Sequence, residues 1–427
     1  MTQLIHVSEI GLPITHFIFI VIAIAILTCF VSSVKAVSVQ KLWQIDEPIV
    51  TYWAGPPMTD AVAKQMADGN WNLVWCRESE LDTAHKYGLR ALLHDPLLSP
   101  ANLDQPNEKA KLDALIQRVR NHPALYSYYI IDEPSASAFS ELSRLTAYLS
   151  ELDPSHNSYI NLFPIYANNQ QLGTAGEPIP AYQEHLRQFV ETLKPNLISY
   201  DHYHFTANGD GSQYFLNLAM IRQTALDARV PFLNIVQACS WTPSMRIPIG
   251  DELRWLVYTS LAYGAQGISY YVYSHPNHNG AMATADGVPT PLYYVAKDLN
   301  HEFAVIAKQL QPLQSLGVYH LGMLPPGTLP LPDKAAFTLD PALPVMDDAP
   351  PQPVKGMLLG YFGKVDSPSH VLVVNLDYKQ NVTRTLVGPG RLEIFDTATL
   401  KWSVVGTNRA ELHIQPGGGV LVRVASQ

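Results

Sequence analysis

From Pro48 to Leu310, short apolar runs rich in β-branched and aromatic residues alternate with longer amphipathic stretches. Such alternation predicts parallel strands joined by crossover helices. The apolar runs Ile49–Trp53, Trp71–Cys76, Leu89–His94, Tyr126–Ile131, Tyr159–Phe163, Leu197–Tyr200, Phe232–Gln237 and Ile268–Tyr273 are the strands. Eight βα units are the complement of a closed (β/α)8 barrel. The helical period supports them. Leu253, Leu256, Val257, Ser260 and Leu261 form one stripe after Asp251, and Gly264 stands where a C-terminal cap belongs. Tyr293–Leu310 is the last helix. A doubly wound open sheet would need a Gly-rich phosphate loop after its first strand, and Trp53-Ala54-Gly55-Pro56-Pro57 is not one.

The pattern changes beyond Gly317. Nine prolines lie between Met323 and Lys355, followed by short runs at Met357–Phe362, His370–Asn375, Arg391–Phe395, Trp402–Val405 and Gly419–Val424. Turn residues separate them and no helical period intervenes, which predicts an antiparallel β-sandwich behind a Pro-rich connector. At the other end, Phe17–Val31 is apolar apart from Thr28 and Cys29, and Ser32-Ser33-Val34-Lys35-Ala36 offers the small residues of a cleavage site. The expected organisation is therefore a signal peptide at 1–36, a barrel at 37–316 and a sandwich at 317–427. The region before Phe17 carries Glu9 and no Lys or Arg, so an uncleaved N-terminal anchor is the alternative. Either way an exported protein is expected, periplasmic or extracellular, with membrane attachment only through this segment.

Composition narrows the partners. A net charge of -9 over 427 residues lacks the cationic surplus that phosphate backbones demand, so nucleic acid is an unsuitable ligand. The 22 Tyr, 7 Trp and 13 Phe include enough flat apolar faces to stack on sugar rings as well as to fill a core. Without the leader only Cys76 and Cys239 remain, too few for a disulfide scaffold and without the paired spacing of a zinc site. Both are expected to be buried structural thiols.

Reactive groups of a barrel gather where strands end and βα loops begin. Those places here are acidic and aromatic: Tyr52-Trp53, Trp75 with Glu78, His94-Asp95, Asp132-Glu133, Asn161 with Tyr166, Asp201-His202-Tyr203-His204, Gln237 with Trp241, and Tyr271 with Tyr273 and His275. At the fourth strand, Tyr128-Tyr129-Ile130-Ile131 leads directly into two adjacent acids. Neighbouring acids at the mouth of an apolar strand repel, and burial raises at least one pKa, which keeps a carboxylic acid protonated near neutrality. Asp46-Glu47-Pro48 repeats the tripeptide before the first strand, at the opposite end of the barrel. Position therefore carries the signal.

Asp132-Glu133-Pro134 resembles the Asn-Glu-Pro or Asp-Glu-Pro at the fourth strand of clan A glycoside hydrolases, family 42 among them, and of uncharacterised bacterial relatives. It is also similar to the Asp-Glu pair of hexosaminidase-like families such as family 123. The first resemblance implies that Glu133 is the acid/base; the second implies that Asp132 orients a substrate acetamido group. Tyr159-Ile160-Asn161-Leu162-Phe163-Pro164, Ser199-Tyr200-Asp201-His202-Tyr203 and the closing Gln415–Val424 look like segments of the same kind of protein. One departure stands out. Clan A retaining enzymes place a nucleophile Glu at the end of strand seven, where this chain has Gln237 or Cys239.

Three mechanisms stay open. Glu133 acts as acid with Asp201 or Glu78 as second carboxylate, the separation deciding the stereochemistry. Asp132 orients a substrate acetamido nucleophile while Glu133 donates the proton. Or the barrel binds glycans without cleaving them. The expected function is a glycoside hydrolase acting on an oligo- or polysaccharide, with Glu133, Asp132 and Asp201 catalytic. Trp53, Trp75, Glu78, Asp95, Asn161, His202, Tyr203, Gln237, Trp241 and Tyr273 are the expected substrate-binding residues. No cofactor is expected, and His202 and His204 lack the companions of a metal site.

Overall fold

The computed structural model describes residues 43–346, 353–365 and 367–425. The leader expected at 1–36 lies outside the described residues. Among those described, no helix is long and apolar enough to cross a membrane.

Eight parallel strands form one sheet: β1 (Ile49–Trp53), β2 (Leu73–Cys76), β3 (Arg90–Leu93), β4 (Leu125–Asp132), β5 (Asn157–Leu162), β6 (Ile198–His202), β7 (Phe232–Gln237) and β8 (Gly267–Tyr271). Their order runs from β1 through β8, β7 and onward to β2. β1 and β2 meet where Asn72 N–H donates to Val50 O at 3.0 Å and Trp75 Nε1 donates to Tyr52 O at 2.8 Å. The (β/α)8 ring expected from the sequence is thereby completed. Its helices are α1 (Asp60–Asp68), α2 (Leu81–Lys86), α3 (Pro106–Val119), α4 (Phe139–Leu152), α5 (Pro178–Leu193), α6 (Tyr214–Ala228), α7 (Gly250–Ala262) and α8 (Pro291–Leu310).

Strand alternation sorts the residues. Ile49, Leu73, Leu92, Tyr159, Leu197, Leu233 and Ile235 fill the barrel interior, while the intervening Val50, Val74, Ile160, Ile198 and Val236 pack outward against the helices. Trp43 closes the bottom with its ring edge-on to Tyr126, centroids 5.6 Å apart. Cys76 and Cys239 are buried and free, and burial pushes their thiols up to about 12, which suits a structural role.

The C-terminal part is an antiparallel sandwich. One sheet has β9 (Gln314–Gly322), β11 (Gly356–Lys364), β12 (Ser367–Asn375), β14 (Leu392–Asp396), β15 (Lys401–Val404) and β17 (Gly419–Val424); the other has β10 (Thr338–Asp340), β13 (Val382–Val387) and β16 (Arg409–Ile414). The larger sheet is covered on both faces. Met357, Leu359 and Tyr361 meet the smaller sheet, whereas Leu358 and Phe362 join the core around the barrel helices. Gly360 lies against α7, where a Cβ would come 2.3 Å from Ala262 O, so only glycine permits this approach. The smaller sheet was not among the expected strands. In β16 buried and exposed residues alternate strictly, the period of a half-buried strand, so Arg409–Ile414 did carry a strand signal.

Candidate active site

Strand β4 is irregular in a way that aims its last residues. Ala91 and Leu92 of β3 pair with Leu125 and Ser127, passing over Tyr126; Tyr129 and Ile131 pair with Tyr159 and Ile160 of β5, passing over Ile130. Each bulge resets the alternation. As a result Tyr126 and Tyr129 pack into the interior, and Asp132 emerges into the cavity above them. Glu133 then has φ of 44°, the left-handed region that a side chain with a Cβ enters at a cost of about 1–2 kcal/mol. Its N–H donates to Asn161 O at 2.9 Å, which holds the turn. Strain retained at a mouth residue is the kind that accompanies function.

Three carboxyl groups converge here. Asn161, buried on β5, donates from one Nδ2 to Asp132 Oδ1 at 3.0 Å and to Asp201 Oδ1 at 2.8 Å, while its Oδ1 accepts from Ser199 Oγ at 3.0 Å. Asp201 and Glu133 hydrogen-bond to each other, so one of them keeps a proton. Burial, then the Asp132 charge, pushes Glu133 up to about 7, against the lowering effect of its bond to Asp201. Asp201 is raised well above the carboxylate range by burial and by the Glu133 charge. Burial also raises Asp132, against the stabilising donor of Asn161.

The cluster faces two adjacent cavities. The smaller, about 190 Å³, is walled by Trp53, Asp132, Asn161, Ile235 and Tyr271; the larger, about 530 Å³, by Phe163, Tyr166, His202, Gln213, Ser244 and Met245. Glu133, Asp201, Tyr203 and Trp241 border both. Tyr203, Trp241 and Tyr271 form an aromatic triangle with centroids 4.6 to 5.0 Å apart. Polar groups set among aromatic walls can orient a ring's hydroxyls while its apolar face stacks.

No family model matches the chain, and no curated protein does. Solved structures match over most of it. A β-galactosidase from Rahnella sp. R3 shares 9% identity, covering 89% of this chain and 98% of that one with a TM-score of 0.55. A glycoside hydrolase family 42 β-galactosidase from G. stearothermophilus shares 10% identity over 89% and 98% of the two chains, TM-score 0.50. This is a likeness of fold. A β-galactosidase from the psychrophilic Marinomonas ef1 aligns over 62% of this chain and 60% of its own, at 12% identity and a TM-score of 0.44.

The structure brings Asp132, Glu133, Asn161, Asp201, His202, Tyr203, Trp53 and Trp241 to these cavities. Trp75 lies just beneath, its ring 4.6 Å from Tyr129 and 5.0 Å from Trp53. His202 is buried with Nδ1 on Asn217 Oδ1 at 2.9 Å, and burial lowers it to about 3, so its imidazole is neutral. Four expected contacts are absent from the cavities. Glu78 is taken up by Arg118, at 2.5 and 2.9 Å. Asp95 caps a turn through Leu97 N–H at 2.8 Å. Gln237 is fully buried; its Oε1 accepts from Phe205 N–H at 2.8 Å and its Nε2 donates to Phe205 O at 2.9 Å and Arg246 O at 2.8 Å. Tyr273 is buried behind β1, its hydroxyl on Gln65 Oε1 at 2.5 Å. Conversely, Phe163, Gln213 and Met245 line the cavities without having been singled out, and Tyr271, named at the end of strand eight, lines them although it was not among the expected substrate-binding residues. Tyr271 alone carried a signal, through inward alternation with Ser269; the others sit on loops.

Proposed function

We propose that this chain is a glycoside hydrolase with Glu133 as general acid/base. The observation that carries the reading is a carboxylic acid held protonated near neutrality at the C-terminal mouth of a barrel, facing an aromatic-walled cavity. A general acid needs that protonation state to give its proton to a departing sugar oxygen. Asp201 acts through Glu133, sharing its proton and returning it as the leaving group departs.

Asp201 is buried, and burial together with the Glu133 charge raises its carboxyl well above the carboxylate range, so it keeps its proton. Asp201 is therefore poorly suited to attack the anomeric carbon or to activate water. Ile235 and Tyr271 line the opposite wall, and among the described lining residues none there is a carboxylate. This favours an internal nucleophile, the 2-acetamido oxygen of the substrate, with Asp132 accepting the amide N–H on the oxygen that Asn161 leaves free. The leader reading adds an exported enzyme working on an external oligo- or polysaccharide.

The same missing carboxylate also supports a second reading, a barrel that binds glycans without cleaving them. A panel of aryl glycosides, N-acetylhexosaminides included, with product stereochemistry followed by NMR separates the two. Hydrolysis with retention, restricted to acetamido sugars and lost in Glu133→Gln, is the expected outcome. Tight sugar binding with no cleavage of any member would favour the binding protein.

A further inference from the structure

The cavity walls above β6 and β7 are loops, and part of what holds them comes from the far end of the chain. Residues 203–213 bring Tyr203 and Gln213 to the cavity, and residues 241–249 bring Trp241 and Met245. The loops are stitched together by Ala207 N–H on Ser244 O at 2.9 Å and Arg246 N–H on Phe205 O at 3.3 Å. Behind them Asp210 is only 8% exposed. Its Oδ2 accepts from the Tyr378 hydroxyl at 2.7 Å and lies 3.6 Å from His204 Nε2; its Oδ1 accepts from Arg246 at 3.3 Å. Arg246 also forks onto Glu252 of α7 at 2.6 and 2.8 Å.

Tyr378 belongs to the sandwich, three residues past β12. Its ring sits edge-on to Phe205 at 5.9 Å and Trp255 at 6.4 Å. Asp210 resists the burial that would neutralise it through His204, Tyr378 and Arg246, which hold its carboxyl below the usual range. Because Arg246 divides itself between Asp210 and Glu252, and His204 stands at long range, the Tyr378 hydroxyl is the shortest bond that Asp210 makes. Losing it leaves a buried carboxylate under-bonded, a cost met by moving the loop.

We propose that Tyr378 is a positioning residue for the cavity: by holding Asp210 it fixes residues 203–213 against 241–249, so the sandwich sets substrate affinity without touching the reaction at Glu133. The affinity half of this rests on the hydrolase reading; the loop half does not. Tyr378→Phe keeps the ring packing and removes only the hydroxyl. Hydrogen exchange at residues 203–213 and 241–249 should quicken by about tenfold, the equivalent of one charge-assisted bond, and KM should rise by about the same factor with kcat within about twofold. Tyr361→Phe, which removes a hydroxyl bonded to Phe337 inside the sandwich, should leave both loops unchanged. Unaltered exchange in the two loops, acceleration spread evenly over the chain, or a fall in kcat at constant KM would each overturn the proposal. A wild-type chain that hydrolyses no glycoside would instead sink the function, leaving the exchange result to decide the latch.

Discussion

Asn161 Nδ2 lies 2.8 Å from Asp201 Oδ1 and, through the same nitrogen, 3.0 Å from Asp132 Oδ1. One amide thus supplies the donor that two crowded carboxyl groups share, and it lowers both of them against burial. Asn161→Ala removes that donor and raises both pKa values. If Asp132 must be ionised to hold the substrate amide, the acid limb of the pH–rate profile moves to higher pH. A charge-assisted bond of about 1.5–3 kcal/mol corresponds to about 1–2 pH units. An acid limb that stays in place would argue against a role for ionised Asp132.

The alkaline limb reports the proton on Glu133. Turnover should fall as pH rises through about 7, because the ionised form cannot donate. Asp132 contributes to that value by charge repulsion, so Asp132→Asn should move the alkaline limb of kcat/KM to lower pH as well as lower the rate. A limb that moves the other way would mean another group carries the proton.

The same raised pKa values make the site unfavourable for folding. In the unfolded chain Glu133 titrates near about 4.3, and in the folded chain near about 7. Between these values the folded state binds more protons, so stability falls as pH rises through the window. Glu133→Gln removes this contribution and the proton donor together. Its Tm should exceed that of the wild type at pH 8, with the difference shrinking towards pH 4, while turnover drops by orders of magnitude. Calorimetry across that range checks the first half; a variant with normal turnover would remove Glu133 from the reaction.

Sequence carried the site as far as strand positions could. Asp132, Glu133 and Asp201 were legible because each follows an apolar run of strand length, and barrel geometry turns every such end towards one mouth. What stayed hidden depends on departures from regularity. The bulges at Tyr126 and Ile130 decide where Asp132 points, yet no residue type announces them. Tyr273 follows the inward parity of Tyr271, but the chain has already left the sheet after Tyr271 and carries Tyr273 outward. Glu78 and Asp95 lie beyond their strands, where a neighbouring Arg or a turn N–H claims the carboxylate first. In the smaller sheet of the sandwich, Thr338–Asp340 is too short and Val382–Val387 too irregular in burial to stand out, whereas Arg409–Ile414 carries the alternation of a half-buried strand.

Gln237 gives the sharpest contrast between family pattern and this molecule. It occupies the strand-seven end where clan A retaining enzymes keep their nucleophile, so Gln237→Glu looks like a route to one. The hydrogen bonds argue otherwise. Its Nε2 donates to two carbonyls, Phe205 O and Arg246 O, one from each loop of the cavity wall. A carboxylate cannot donate to either, and a protonated acid can serve only one. Gln237→Glu should therefore destabilise the chain by about 3 kcal/mol or more, the cost of unpaired buried carbonyls facing a buried charge. It should also loosen the two loops and yield no retaining activity on sugars that lack a 2-acetamido group. Denaturant unfolding together with an aryl-galactoside assay tests both parts. A variant as stable as the wild type that hydrolyses such substrates with retention would show that Gln237 sits within reach of the anomeric carbon after all.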